Sequence, residues 1–378
     1  MFFSQVIGQD ELKKKLILSV QSGRIPHAQL FFGPDGSGTL PMAIAYAQYI
    51  ICSNRSDSDS CGHCPNCQQI LKLSHPDVHF SFPVNTTSKV TKDPVSDNFI
   101  DQWRSFVVSD PYFTENQWYE QIGIENKQGL INKRESEEII KKLRFKPFES
   151  EHKLMIIWLP EKMNAYSANV LLKLIEEPPD KTLFFLVSDV PELLLTTIAS
   201  RTQPVKLGTI DETSLIGALE KKYNASPDEL SGSVRLASGS YTKAREILLS
   251  SDEYKFYLDR FIQIMRLCYS RSFLNINQWV EEMSVTGREK LKGFLGYALR
   301  LIRENFILNL NEPGLSYITG NEAEFSKKFH PFINGNNVVN IYEELNRASA
   351  DIERNAYAKI VLFDLVLQLM KLIPNKSK

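Results

Sequence analysis

Short apolar runs separated by polar or glycine-rich breaks fill the first half of the chain, and helically spaced apolar positions take over in the second. HAQLFF (27–32), KLMIIWL (153–159) and KTLFFLVS (181–188) have the near-continuous apolar character of strands buried on both faces. PMAIAYAQYI after the first run, NKRESEEIIKKLRF before the second and AYSANVLLKLIEE (165–177) read as helices. The last of these is stopped by Pro178-Pro179. Strands alternating with helices predict a parallel α/β sheet. Between Asn85 and Gly129 the sequence is polar and aromatic without a clear period, and it reads as an insertion of irregular structure. From Gly208 to Ser250 the stretches DETSLIGALEKKY, SPDELSGSVRLAS and YTKAREILLS predict short polar helices. Beyond residue 251 no strand pattern remains. Leu258, Phe261, Ile262, Met265 and Tyr269 share one helical face, and DIERNAYAKIVLFDLVLQLMKL predicts one long amphipathic helix. The pattern therefore divides the chain into an α/β domain (1–207), a small helical domain (208–250) and an all-helical domain (251–378).

Composition adds constraints more than identity. With 378 residues, 43% apolar, 24% charged and a net charge of −1, the chain has ample material for buried cores. That balance argues against gripping DNA alone through a massed basic surface. Lys13 to Lys15 and the Lys141-Lys142 pair read as solvated helix faces. LMIIWL and LFFLV are too short to span a bilayer, and MFFSQVIGQDELKKK has no secretory layout. The expectation is a cytoplasmic protein with reduced thiols and no membrane partner.

Four of the five cysteines crowd between residues 52 and 67 as C-x8-C-x2-C-x2-C. Two-residue gaps let Cys61, Cys64 and Cys67 turn inward on one ion, with Gly62 and Pro65 shaping the knuckles, and the longer loop returns Cys52. Four thiolates with no open position make a closed tetrahedral site of the structural zinc kind. A ferredoxin-type cluster would continue with a cysteine where Leu71 stands, which favours zinc. His63 reads as a bystander and Cys268 as core.

FFGPDGSGTL (31–40) has the glycine skeleton of a phosphate loop between a strand and a helix. Gly33, Gly36 and Gly38 are in place, yet Thr39 stands where the phosphate-binding lysine belongs and Leu40 where the Mg²⁺-holding hydroxyl belongs. The acidic residue expected after KLMIIWL is replaced by Leu159-Pro160. With three parts missing, the expectation is no hydrolysis here and no tight ATP binding.

Taken in order, VIGQDELKKKL, GRIPHAQLFFGPDGSG, the cysteine insertion, HPDVHF (75–80), SANVLLKLIEEPP (167–179) and TIASR (197–201) resemble the bacterial AAA+ clamp-loader proteins of DNA polymerase III. The likeness is strong over the first domain and weak over the third. It implies an AAA+ domain bearing the zinc module, a lid-like helical domain and a C-terminal collar for oligomerisation. The family's ATPase branch, gamma/tau, keeps its phosphate loop and acidic pair; a chain that lacks both resembles the delta prime branch. In that branch the arginine of a Ser-Arg-Cys motif reaches ATP held by an adjacent subunit. Here the motif reads Ser200-Arg201-Thr202, and Arg201 keeps the guanidinium that the chemistry needs. Read from its position alone, Arg201 is a surface arginine capping a helix. The Glu176-Glu177 pair reads as a solvated or interface feature rather than catalytic carboxylates.

The resemblance implies gamma/tau-type and delta-type subunits as partners, with the sliding clamp and primed DNA reached through the complex. Two other functions compete with this one. A self-sufficient ATPase or nucleotide switch would bind and turn over ATP as an isolated chain. A zinc-dependent DNA-binding module would bind DNA alone with a steep salt dependence.

Overall fold

The structure is a computed structural model that describes all residues except 126, 224, 250, 311–317, 319 and 374–378. Two compact units are present, Met1–Asn224 with Ala237–Arg245, and Ala225–Leu236 with Glu246–Lys378.

The first unit is built on a parallel sheet of five strands among the described residues: β1 (Ala28–Phe32), β2 (Val78–Ser81), β3 (Lys153–Trp158), β4 (Thr182–Ser188) and β5 (Gln203–Lys206). Their order is β2-β3-β4-β1-β5. The three strands legible in the sequence are the central ones, buried along nearly their whole length. β2 and β5 are four-residue edge strands too short to register as apolar runs.

Side chains alternate cleanly between the two faces. Phe31, Leu154, Ile156, Leu183 and Phe185 pack on one side, with helices α1 (Asp10–Gln21) and α2 (Thr39–Ile51). Leu30, Met155, Ile157, Phe184 and Leu186 pack on the other. All thirteen residues of α2 are buried, and Tyr46 stacks on Phe185 with centroids 5.3 Å apart. α3 (Pro65–Leu71) follows the cysteine loop.

The 85–129 segment corrects the expectation of irregular structure. It contains α4 (Ile100–Ser109) and α5 (Glu115–Ile122), the latter opened by a Thr114–Gln117 capping box and closed by Gly123 at φ 73°. Trp103 is fully buried, stacked on Phe82 at 4.2 Å and edge-on to Trp118 at 5.1 Å. The aromatic residues that looked like scattered polar-loop decoration are the core of a helical hairpin. Next come α6 (Lys133–Leu143), α7 (Ala165–Glu176) and the single turn α8 (Thr196–Ala199). α9 (Glu212–Lys222), α10 (Pro227–Ala237) and α11 (Tyr241–Leu249) are the short helices expected after Gly208.

The second unit continues with α12 (Ser251–Ser270), α13 (Phe273–Ser284), α14 (Arg288–Leu308), α15 (Gly320–Phe329), α16 (Val338–Glu353) and α17 (Ala358–Leu372). Leu258, Phe261 and Met265 are buried and Ile262 and Tyr269 half-buried, as the helical face predicts, and Cys268 lies in the core. The long terminal helix is in fact two. Asn355 turns left-handed at φ 64°, and the amide of Ala356 closes back on the carbonyl of Asp351. That terminates α16 and lets α17 set off on a new axis.

Candidate functional site

Three features at the C-terminal edge of the sheet and beside it carry the chemistry that the sequence singled out. The first is the cysteine cluster. Cys52 ends α2, Cys61 follows a turn built by Ser56 and Asp59, and Cys64 caps α3, accepting the amide of Cys67. The four sulfurs lie within 4.8 Å of one another, with Cys52 and Cys64 4.0 Å apart and Cys61 and Cys67 3.9 Å apart. A tetrahedron with metal–sulfur bonds of about 2.3 Å has edges of about 3.8 Å, so these thiols fit one ion. They are far beyond the disulfide distance of about 2.05 Å. Backbone amides of Cys61, Cys64 and Cys67 donate to the sulfurs of Cys52, Cys61 and Cys64 at 3.3–3.4 Å, which stabilises thiolates. Burial opposes ionisation of Cys64, but the amides of Cys67 and Ser53 and the neighbouring thiols outweigh it and bring its pKa down to about 6. Gly62 sits at φ +77°, and a Cβ there would strike the Phe2 ring at 2.7 Å. His63 is exposed, its Nδ1 occupied by the carbonyl of Cys61 at 2.9 Å, outside the sulfur cluster.

The second feature is the glycine loop between β1 and α2. Gly36 and Gly38 adopt φ 73° and 92°, a conformation that glycine takes at no steric cost. In the first turn of α2 the backbone amides without an intrahelical partner are those of Thr39 and Leu40, since Pro41 has no N–H and the Met42 amide bonds the Gly38 carbonyl at 3.0 Å. Thr39 and Leu40 are buried, at 9% and 3% exposure, and their side chains carry neither the ammonium nor the second-position hydroxyl of the G-x-x-x-x-G-K-[ST] pattern. At the end of β3, Leu159 is 1% exposed and left-handed at φ 55°, followed by Pro160. Glu161, the next acidic residue, accepts the amides of Asp189 and Val190 at 3.1 and 3.2 Å and so caps the turn after β4.

The third feature is the Ser200-Arg201 pair behind α8. Ser200 Oγ donates to the Thr197 carbonyl at 3.1 Å, a local helix-end bond. Arg201 also bonds that carbonyl at 3.1 Å, through Nη1, and its Nε meets Glu176 Oε1 of α7 at 2.7 Å. Its side chain is 42% exposed. A guanidinium has five N–H donors, more than these two contacts engage. The arrangement joins two motifs separate in sequence, SANVLLKLIEEPP and TIASR.

Sequence reading missed a further group. Tyr112, at the corner between α4 and α5, lies against Gly38 and accepts the amide of Ile7 at 2.8 Å. Asp110 beside it pairs with Lys222 at 2.6 Å and with Arg245. No local pattern marks these residues, because their partners lie about a hundred positions away along the chain. The turn signal Asp110-Pro111 was the one visible hint.

A parallel sheet in this strand order, with a glycine loop leaving β1 into a buried helix and a cysteine module behind that helix, defines an α/β domain of the AAA+ type. The family described as "DNA polymerase III, delta subunit" matches residues 8–211, more than half of the chain, and the chain belongs to that family. Its relatives include the DNA polymerase III subunit delta' of Escherichia coli K12, 27% identical over 60% of this chain and 56% of the relative. The delta' subunit of Bacillus subtilis 168 is 29% identical over 52% of this chain and 46% of its own length. The tau subunit of B. subtilis 168 is 25% identical over 59% of this chain and 32% of its own length. The chain thus spans about half the length of the delta' relatives that it matches, or less for tau. A solved gamma subunit-related protein of DNA polymerase III from Thermotoga maritima aligns over 96% of this chain and 99% of its own, at 12% identity and a TM-score of 0.42.

Proposed function

We propose that the chain is a non-hydrolysing, delta prime-type subunit of a cytoplasmic DNA polymerase III clamp loader, which lends Arg201 to the ATP site of a neighbouring gamma/tau-type subunit. The observation that carries this reading is a contrast within one domain. The positions that would serve its own nucleotide, Thr39, Leu40 and Leu159, are buried among core side chains, while Arg201 stands exposed with donors to spare. Glu176 holds the base of the guanidinium through Nε and leaves the outer fork for an anion. In a neighbour's site that fork stabilises charge developing on the γ-phosphate as the phosphoryl group transfers. Ser200 helps to fix the turn that carries it.

In this reading Cys52, Cys61, Cys64 and Cys67 hold a structural zinc that ties the end of α2 to α3, and they take no part in chemistry. Residues 1–207 act as the AAA+ domain, 208–250 as a lid-like domain and 251–378 as the collar that joins a ring with gamma/tau-type and delta-type subunits. The sliding clamp and primed DNA are reached through that ring.

The test is the assembled loader carrying Arg201→Ala. The expected result is normal assembly with clamp-stimulated ATP turnover lowered by about 10³-fold at the neighbouring site, the lower end for residues of this kind. Unchanged turnover in an intact complex overturns the role of Arg201, and ATP turnover by the isolated chain overturns the non-hydrolysing assignment.

A further inference from the structure

A nucleotide seated beside a phosphate loop brings three things: a planar aromatic ring, an acceptor for a backbone amide and a cluster of negative charge. The 85–129 insertion brings the same three to this loop from within the chain. The corner between α4 and α5 reads Asp110-Pro111-Tyr112, and Pro111 makes the turn that aims both flanking side chains inward. Tyr112 is 5% exposed. Its ring lies so close to Gly38 that a Cβ there would sit 2.9 Å from Oη and 3.0 Å from Cε1. The phenol oxygen accepts the Ile7 amide at 2.8 Å, and the ring packs on Tyr241 with centroids 4.8 Å apart.

Asp110 supplies the charge. Its carboxylate pairs with Lys222 at the end of α9 and with Arg245 on α11, whose other nitrogen reaches Gln117 at 3.2 Å. Two cations that a triphosphate would attract are thereby both engaged by one carboxylate of the insertion. The same α11 segment closes on the loop directly, through the Tyr241 amide donating to the Gly36 carbonyl at 3.2 Å. Beyond Tyr112 a cavity of about 890 Å³ remains, lined by Val6, Ile7, Pro111, Tyr112, Lys221 and Tyr241 among others. None of residues 33–40 lines it, so the tyrosine separates the loop from the open space beside it.

We propose that the insertion is a built-in occupant of the phosphate loop. Tyr112 takes the place of a base and sugar, Asp110 takes the place of phosphate toward Arg245 and Lys222, and the loop is held closed on residues 237–245 without any nucleotide. Exclusion of ATP is then a matter of occupancy as well as of the missing lysine. This rests on the reading of the loop as silent, and the two are separable by experiment.

The full chain is titrated with Mg-ATP by calorimetry in three forms: unmodified, Thr39→Lys, and Thr39→Lys with Tyr112→Ala. Binding is expected only in the last form, tighter by at least about tenfold than any seen with Thr39→Lys alone. Equal binding by the two variants, or none by either, overturns the occupant and leaves the silent loop standing; binding and turnover by the unmodified chain overturn both. Hydrogen exchange supplies a check that needs no destabilising change. The Ile7 amide is expected to be protected in the unmodified chain and to exchange about tenfold faster in Tyr112→Phe. An Ile7 amide that exchanges freely in the unmodified chain shows the tyrosine unseated and sinks the proposal.

Discussion

Asp77, at the threshold of β2, shows how one buried charge can fix a surface. It is 3% exposed, and its carboxylate accepts the amides of Phe148, Glu149 and Ser150 at 2.6, 2.7 and 2.8 Å. The turn so gathered holds Phe145 and Phe148 out at 76% and 83% exposure. Lys153 braces the same turn from beneath, donating to the Leu143 carbonyl at 2.8 Å. Burial alone would raise the Asp77 pKa, but the three amides and the Ser150 hydroxyl outweigh it and hold the group below the ordinary aspartate value. A depressed folded pKa contributes stability that is fully present above the unfolded value of about 3.9 and is lost as the pH falls through the folded value. Asp77→Asn trades an acceptor for a donor that faces other donors, so the expected cost is about 1–3 kcal/mol. Urea unfolding at neutral pH checks the loss. The gap between the two chains is expected to begin narrowing as the pH falls below the unfolded value of about 3.9 and to be smallest below the depressed folded value, where both side chains are neutral.

At the scale of elements, the insertion is where packing overrode appearance. Trp103 and Val107 are four apart and both buried, and Trp118, Tyr119 and Ile122 form a second such face. Each helix spans only two to three turns, too little for periodicity to outweigh the Asp, Asn, Ser and Gln around it. Glu135 of α6 ties the hairpin down by accepting the Ser96 amide at 2.7 Å from a position 1% exposed. Trp103→Ala is expected to cost about 3–5 kcal/mol, read as a lowered urea midpoint. A loss below 1 kcal/mol would mean that the hairpin collapses around the gap. The terminal helix shows the opposite failure. Apolar spacing continued across Asn355, while the break depended on one left-handed residue whose side chain tolerates that region. The central strands were legible because burial on both faces leaves an apolar run. The cysteine cluster was legible because its ligands are local. The contacts of Tyr112 and of Arg201 with Glu176 were not, since each is made by residues that only the finished sheet brings together.

The molecule as a whole rests on separate cores, and this decides what loss of a metal would reach. The four cysteines belong to the first unit, alongside Trp103, Trp118 and Trp158; the second unit has its own core around Phe261, Trp279 and Leu301. Elemental analysis is expected to find one zinc per chain. Cys67→Ser, or a strong chelator, is expected to lower the unfolding temperature of the first unit by several degrees, on the order of 2–4 °C per kcal/mol lost. Scanning calorimetry checks this, and an unchanged first-unit transition after zinc removal argues against a structural ion.

One consequence follows from the complete burial of α2. A helix at a working phosphate loop changes under two pressures, contact with its ligand and contact with its core. Here every one of its positions answers to the core, since no residue from Thr39 to Ile51 faces water. A change of even one methylene is felt in such surroundings. Likeness between this stretch and the same stretch in other members of the family therefore records shared packing. A glycine loop and helix packed in this way persist for the sake of the sheet they support, whether or not a nucleotide is handled there.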